Sequence, residues 1–371
     1  MVKVLVFGMT ENPGGVESVI INYYRNIDRT KVQFDFLCNS YEKVAFEDEL
    51  LKLGGKCIHF PARSQNFREY KQKLNGFFKE HAKEYVAIWV NVCSLANIDY
   101  LILAKKYGIK NRIIHSHNSQ NMDSALRGLL HKFNKRRIDK YATDFFSCSD
   151  DATKWFYKTS LQDKVLLINN AIDVSHMKYN PTKREAIRME NGLTDAYVIG
   201  NVGRLHFQKN QTFMLDIMKE FTKKHKDAVL VLVGQGEDKE ALVKKAKSLE
   251  IEDNIRFVGV QKDIVGWLSA FDVFLFPSLF EGLSIAALEA QANGIPTLAS
   301  KDVIPKEVRL NDNFTFYSLD EGAIKWSDKL EYIKDNVSRE KFETIIDKFR
   351  NNGFDIKEEA QKLQDYFVKG L

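Results

Sequence analysis

Runs of Val, Ile, Leu and Phe, each too short for a helix, recur along this chain with amphipathic stretches between them. That rhythm limits the fold more than any other feature. In the first half the runs are 2–7 (VKVLVF), 32–37 (VQFDFL), 56–60 (KCIHF), 85–92 (YVAIWVNV), 112–116 (RIIHS), 143–148 (TDFFSC) and 164–168 (KVLLI). Between them, segments such as 16–27, 67–81 and 95–107 place apolar residues at helical spacing. Strands alternating with amphipathic helices specify a parallel, doubly wound sheet. The rhythm lapses from about 170 to 190 (NAIDVSHMKYNPTKRE at its start) and resumes at 197–202, 228–233, 254–258, 271–276 and 296–299. The expected architecture is therefore α/β, with one Rossmann-like domain over 1–172 and a second over 173–353. In the closing stretch 354–371, Ile356, Ala360, Leu363 and Phe367 fall at helical spacing, which predicts a helix packed on other structure.

Composition narrows the function classes. The 371 residues suffice for two or three domains, and 44% hydrophobic with 28% charged residues is ordinary globular usage. A net charge of +5 is mild for this length, so nucleic acid is not an expected partner. No apolar run reaches the roughly 18 residues of a membrane span. Met1 to Phe7 is too short for a signal-peptide core. The expected location is cytoplasmic. Cys38, Cys57, Cys93 and Cys148 form no CxxC pair and read as reduced, buried thiols.

Open parallel sheets bind ligands outside the carboxyl ends of their strands. Two Rossmann-like domains facing a central cleft would both present those ends to it, so the strand-end loops carry the chemistry. After the first run, Gly14 and Gly15 open a helix, where backbone N–H groups can approach an anion or simply form a tight turn. Neither a G-x-G-x-x-G nor a G-x-x-x-x-G-K-[ST] motif is present there. At 115–118 stands His115-Ser116-His117-Asn118, offering an imidazole that titrates near neutral pH. Two histidines at i, i+2 without a nearby Asp, Glu or Cys make a poor metal site, and no metal is expected.

The other two loops are in the second half. Gly203-Arg204-Leu205-His206-Phe207-Gln208-Lys209-Asn210 holds two fixed cations five residues apart. They can face a pyrophosphate together, Arg204 as a fork and Lys209 as a point charge, or stay a solvated surface pair. In PSLFEGLSIAALEA (277–290), Glu281 lies on the loop, a helix is expected near Leu283, and Glu289 lies within it. Eight helical steps of about 100° would return the two carboxylates to one side, about 12 Å apart. The helix-start amides of Leu283, Ser284 and Ile285 would lie between them. Carboxylate, anion cradle, carboxylate matches the sugar hydroxyls, pyrophosphate and ribose hydroxyls of a nucleotide-sugar. The plainer alternative is a helix-start carboxylate and an ion-paired glutamate.

In this order and spacing, Gly14-Gly15-Val16-Glu17, His117, Gly203-Arg204…Lys209, Gly234-Gln235-Gly236 and Glu281…Glu289 resemble the family 4 (GT4) glycosyltransferases of the GT-B fold. The resemblance covers almost the whole chain, and Glu281…Glu289 matches that family's E-x7-E motif. It implies that the second domain binds a nucleotide-sugar, most simply a UDP-sugar, and the first binds the acceptor. Arg204 and Lys209 would contact the diphosphate, Glu289 the ribose and Glu281 the donor sugar. Gly14-Gly15 would close over the phosphates from the other domain, and His117 would be the active-site histidine. The base would meet backbone near Val260 and Gln261. The resemblance further implies retention of anomeric configuration, no cofactor or metal, and a final helix crossing back onto the first domain. Two departures stand out: EGLSIAALE replaces the commoner E-G-F-G/P start, and His115 is an extra histidine. HSHN and FEGLS are most similar to the bacterial branch that builds capsular and exopolysaccharide repeat units.

The acceptor implied is a glycan or a polyprenyl-linked sugar. Residues 123–140 put Ala125, Leu126, Leu129, Leu130 and Phe133 on one side, and 131–140 carry five Lys/Arg against one Asp. Such a segment can lie peripherally on an anionic membrane, here the inner face of the cell membrane, or cover a sheet with a solvated cationic end. Rival readings are a sugar-nucleotide 2-epimerase of the same fold and a non-catalytic carbohydrate-binding subunit. A phosphorylase lacks an identifiable cofactor lysine, and a nicotinamide dehydrogenase lacks its glycine fingerprint.

Overall fold

The computed structural model describes residues 1–118, 125–281 and 283–369. They fall into two compact units: Met1–Ala171 completed by the chain from Ile356, and Ile172–Asp355.

The first unit is a seven-stranded sheet of β1 (Val2–Phe7), β2 (Val32–Cys38), β3 (Cys57–His59), β4 (Ala87–Val92), β5 (Asn111–Ser116), β6 (Asp144–Ser147) and β7 (Val165–Leu167). Their order is β3-β2-β1-β4-β5-β6-β7, and every neighbouring pair is parallel. Order reverses between β1 and β4, so the loops after these two strands flank the crevice where such sheets bind ligands. Both faces of the sheet are covered. As a result β2 is buried along its whole length, including Gln33 and Asp35. Asp35 tolerates burial because it accepts from Tyr85 Oη at 2.9 Å and from the Lys56 amide at 3.1 Å.

The closing helix Ile356–Lys369 belongs to this unit. Its buried residues include Ile356, Ala360, Leu363 and Phe367, the apolar stripe of the sequence pattern. Phe367 packs edge-on to Phe34 and Trp89, with ring centroids 5.8 and 6.2 Å away. Burying one such ring contributes roughly 1.5–3 kcal/mol. Gln364 Oε1 accepts from the Asp28 amide at 2.7 Å and fixes the helix in register.

The second unit repeats the plan with β8 (Val198–Val202), β9 (Val229–Val233), β10 (Ile255–Gly259), β11 (Val273–Phe276), β12 (Thr297–Ser300) and β13 (Phe314–Tyr317), in the order β10-β9-β8-β11-β12-β13. All pairings are again parallel. Alternate residues feed separate cores: Ile199, Leu230, Leu232 and Leu275 enter one, Val198, Val231, Phe274 and Phe276 the other. The switch point lies between β8 and β11. β13 was absent from the sequence reading. It is four residues long, lies at the sheet edge and is half-buried beyond Phe314, so its pattern is weak.

The cysteines differ from expectation in part. Cys38 and Cys148 are buried, Cys57 is half-buried and Cys93 is exposed. No helix among the described residues is long and apolar enough to cross a membrane.

Candidate functional site

The loops after β8 and β11 form one structure at the switch point of the second unit. Gln208 O accepts from the Leu279 amide at 2.8 Å, Gln208 Nε2 donates to Phe280 O at 3.0 Å, and Asn210 Nδ2 donates to Pro277 O at 3.0 Å. Asn210 adopts φ 57°, a left-handed conformation that asparagine tolerates, and this turns the chain into the helix Gln211–Phe221. Within this frame Lys209 Nζ and Glu281 Oε1 are 2.6 Å apart, with side chains 16% and 6% exposed. The Lys209 ammonium also lies 5.2 Å from the centroid of the Phe276 ring.

A third loop supports the first. The loop after β9 packs against it so closely that a Cβ on Gly234 would lie 2.0 Å from Gly203 O, and one on Gly236 would lie 2.1 Å from Leu205 O. Leu205 N donates to Gln235 O at 3.0 Å, and Gln211 Nε2 holds Arg204 O at 2.9 Å. The Arg204 guanidinium itself is exposed and forks onto Glu237, Nη2 to Oε2 at 3.0 Å. Glu237 is held below the usual carboxylate range, first by its own backbone amide and then by Arg204. The two cations are therefore each paired with a carboxylate, a pairing that neither alternative read from the sequence included.

The acidic helix begins later than expected. It spans Ile285–Ala292, with Ser284 as the cap, its Oγ accepting from the Ala287 amide at 3.5 Å. Glu281 thus precedes the helix, and the expected shared azimuth with Glu289 does not arise from helical geometry. Ser284, Leu283 and Ile285 remain at the helix opening, and first-turn amides such as those of Ile285 and Ala286 have no carbonyl within the helix to receive them. Glu289 is half-buried, and burial pushes its carboxyl up to about 7. It has no hydrogen bond or ion pair from its side chain among the described residues, so it is not the ion-paired glutamate of the plainer reading. Val260 follows β10 and is exposed, as are Phe207 and Leu279, an apolar rim at the same strand ends.

In the first unit, Gly14 caps the helix Gly15–Asn26, and a Cβ on Gly15 would meet nothing within 4 Å. Glu17 is buried at this helix start, where Thr10 Oγ1 donates to its Oε1 at 2.5 Å. Beside it, β4 and β5 end in Asn91, His115 and His117. Asn91 Oδ1 lies 3.1 Å from His115 Nδ1 and 2.9 Å from His117 Nε2. Burial holds His117 down to about 3 and, together with its neighbour His117, holds His115 well below the ordinary value. His117 is therefore not the near-neutral titrating group that the sequence suggested. Among the described residues no group of three or more His, Cys, Asp or Glu side chains is placed to hold one metal ion.

Residues 123–124 of the basic segment lie outside the described residues. From Ala125 the helix Ala125–Lys135 runs amphipathically, but it buries His131 and Asn134. Leu126, Leu129 and Phe133 are 67%, 64% and 55% exposed. The apolar side that a sheet-covering helix would bury faces solvent. His131 Nδ1 accepts from the Leu95 amide at 3.0 Å, and Asn134 donates to Leu95 O at 2.7 Å, so polar contacts anchor the helix by its other side.

Sequence reasoning missed Asn91 and Glu237 and gave no role to Gln208 and Asn210, which stand in the loop it singled out. Asn91 left a trace as a polar amide at the carboxyl end of an otherwise apolar strand.

Residues 183–349 match the family model of glycosyl transferases group 1. Over 365 residues the chain is 28% identical to EpsF of Bacillus subtilis, which is named as a glycosyltransferase, covering 96% of this chain and 94% of that one. It is 24% identical over 377 residues to the capsular polysaccharide biosynthesis glycosyltransferase CapH of Staphylococcus aureus, covering 99% of each. The fold superposes on HepE of Anabaena, solved with UDP and glucose, with a TM-score of 0.78 at 18% identity over the full length of both chains.

Proposed function

We propose that this chain, which carries a glycosyl transferases group 1 domain on a GT-B fold, moves a hexosyl or related sugar from a nucleotide diphosphate, most simply UDP, to a glycan or polyprenyl-linked acceptor. The product would serve a cell-surface polysaccharide, and the anomeric configuration would be retained. The observation that carries this reading is the switch point of the second unit. There a buried Lys209–Glu281 pair stands before a helix start, and that helix presents the half-buried, unpartnered Glu289. A half-buried carboxylate whose surroundings disfavour its charge is stabilised by a ligand that supplies hydrogen-bond donors. Vicinal ribose hydroxyls are such donors. CapH supports the polysaccharide setting, EpsF supports glycosyl transfer, and HepE supports the uridine nucleotide.

The difficult step breaks the anomeric C–O bond to the diphosphate. Negative charge grows on the leaving group, and Lys209, Arg204 and the amides at Ser284 and Ile285 would take it up. Lys209 carries three N–H donors, so it can hold Glu281 and still reach a phosphate oxygen. Arg204 would exchange Glu237 for phosphate. Preorganised cations at developing charge are worth several kcal/mol of barrier, and in this reading they serve without a metal ion or cofactor. Glu281 would accept hydroxyls of the donor sugar, Leu283 would line the helix opening, and backbone near Val260 would meet the base. Gly14 and Gly15, on the first unit, would contribute amides to the phosphates, and that unit would bind the acceptor.

The exposed stripe of Leu126, Leu129 and Phe133, with the exposed Lys132 and Arg136, suits a peripheral seat on anionic lipid, where a polyprenyl-linked acceptor would reside. A panel of sugar nucleotides in thermal shift, followed by product analysis, tests the function. Donor at 100 times its Kd should add about 2.7 kcal/mol of stability. Nucleoside diphosphate should appear only with acceptor present, and chelators should leave turnover intact. Release of an epimerised sugar without acceptor would replace transfer by epimerisation. A panel without any shift would refute the donor site.

A further inference from the structure

Three cations surround one hollow in the second unit. The crossover from β12 to β13 starts at Lys301, whose amide donates to Tyr317 O at 2.8 Å, at the end of the edge strand. Asp302 then adopts φ 61°, a left-handed conformation that aspartate tolerates. A cavity of about 250 Å³ opens along this crossover, lined by Lys301, Asp302, Ile304, Lys306, Arg309 and Phe316. Lys306–Val308 form a single 3₁₀ turn, and the Arg309 amide donates to Lys306 O at 3.1 Å. Side chains three apart eclipse in such a turn, so Lys306 and Arg309 rise on one side. Ile304 is buried and Phe316 half-buried in the core beneath, so the floor is apolar.

Buried hydrogen bonds hold the crossover at both ends. Gln291, fully buried on the helix Ile285–Ala292, donates from Nε2 to Val308 O at 2.8 Å. Its Oε1 accepts from the amides of Leu310 and Asn311 at 2.9 and 3.1 Å. At the other end Ser300 Oγ donates to Ser278 O at 2.7 Å, just past β11. The cavity is therefore preformed, and it begins at the end of the sheet where parallel sheets bind ligands.

Its charges are uncompensated. Lys301, Lys306 and Arg309 are exposed, and none makes an ion pair among the described residues. Asp302 is the one carboxylate in the lining, so three cations stand against one anion, a net +2. Glu307 stands on the turn but not in the lining. Asp312, whose carboxyl Arg309 helps to hold down, is already paired with Lys348 at 2.9 Å.

We propose that this cavity binds a small organic phosphate monoester. Arg309 would fork two phosphate oxygens, Lys301 and Lys306 would act on the same group as point charges, and the organic part would rest on Ile304 and Phe316. A phosphate monoester carries about −1.5 to −2 at neutral pH, which matches the lining. The apolar floor favours an ester over the bare inorganic ion, because only the ester has apolar surface to bury. Lipid headgroups share the phosphate chemistry. The soluble ester is favoured because none of the large exposed apolar side chains among the described residues stands on 301–313, which leaves nothing to enter a bilayer. The site uses no residue of the proposed donor site and does not depend on sugar transfer.

Methyl-labelled isoleucine reports on the floor in the intact wild-type protein, with the Ile304 signal identified by Ile304→Val. Phenyl phosphate should shift that signal saturably and bind about tenfold or more tighter than inorganic phosphate or phenol. Saturating UDP should leave its affinity within about twofold. Lys301→Ala, Lys306→Ala and Arg309→Ala together should weaken it about a hundredfold, since each removes a charge-assisted contact. These side chains are exposed, so the remaining isoleucine signals should stay in place. Should that variant fail to fold, Arg309→Gln alone should weaken binding roughly tenfold. An Ile304 signal unmoved by phenyl phosphate, or equally moved in the variants, overturns the site. Equal affinity for inorganic phosphate refutes an organic ligand, and displacement by UDP would merge the cavity with the donor site. Vesicles containing phosphatidic acid that bind wild type and not the triple variant, with phenyl phosphate silent, would assign the cavity to a lipid headgroup and overturn the soluble ester.

Discussion

Lys209 Nζ and Glu281 Oε1 meet at 2.6 Å although 72 residues separate them, because the strands β8 and β11 that deliver them are neighbours at the point where sheet order reverses. The pair is almost wholly buried, and its two loops are stitched together by Gln208 and Asn210. A proposed catalytic cation and a proposed sugar-binding carboxylate are thus one structural unit before any ligand arrives.

Removing either partner leaves the other charge buried. Glu281→Gln should therefore destabilise the protein by about 2–4 kcal/mol, measured by urea denaturation. The double variant Lys209→Met/Glu281→Gln should recover more than half of that loss. Transfer should nevertheless stay down by orders of magnitude in both, and near-wild-type turnover in the double variant would remove Lys209 from the diphosphate.

Glu289 is predicted to couple donor binding to pH. Its folded carboxyl titrates near 7 because of burial, above the ordinary 4.5. A raised carboxyl contributes stability below the unfolded value and loses it as pH rises through the folded value. Free enzyme should lose stability as pH rises from about 4.5 to about 7, relative to Glu289→Gln, and level off above. Ribose hydroxyls prefer the ionised form, so nucleotide affinity should rise over the same interval and binding should release protons. Calorimetry in buffers of different ionisation enthalpy measures that release, and a pH-independent affinity equal in wild type and Glu289→Gln would contradict the ribose contact.

Gly236→Ala should act on binding through the backbone. The new Cβ would lie 2.1 Å from Leu205 O, a carbonyl that cannot rotate away as a side chain can. The loop bearing Arg204 must shift, and overpacking of this kind costs roughly 1–3 kcal/mol. Donor KM should rise while the fold persists by circular dichroism. An unchanged KM would separate the loop after β9 from the donor site.

Leu126→Ser, Leu129→Ser and Phe133→Ser together should leave thermal stability nearly unchanged, since exposed side chains away from special features contribute within about 0.5 kcal/mol each. Co-sedimentation with anionic vesicles at low salt should fall sharply. Vesicle binding by wild type and variant alike, or by neither, would refute a membrane-facing helix.

Much of this protein was already written in its sequence. The apolar runs determined two parallel doubly wound sheets, because strands covered on both faces leave a near-continuous hydrophobic signature, and twelve of the strands arose where those runs stand. The edge strand β13 left too short a trace. The sequence also singled out Lys209, Glu281 and Glu289, because fixed charges in or just after strand-end loops stand where open parallel sheets bind ligands. It placed the helix start two residues early, since Leu283 continues the apolar pattern while Ser284 is the residue whose hydroxyl caps the turn.

Only the tertiary structure decided who partners whom. Glu281 binds Lys209, Arg204 turns to Glu237, and Glu289 has no side-chain partner among the described residues, because such contacts join strands that are adjacent in space and distant in the chain. The same holds for Asn91, which becomes a bridge between two histidines because β4 lies beside β5 with Asn91 opposite His115. Periodicity reports which side of an element is buried. Electrostatic partnership depends on distances of a few ångströms between elements, and the chain acquires those only when the sheet has assembled.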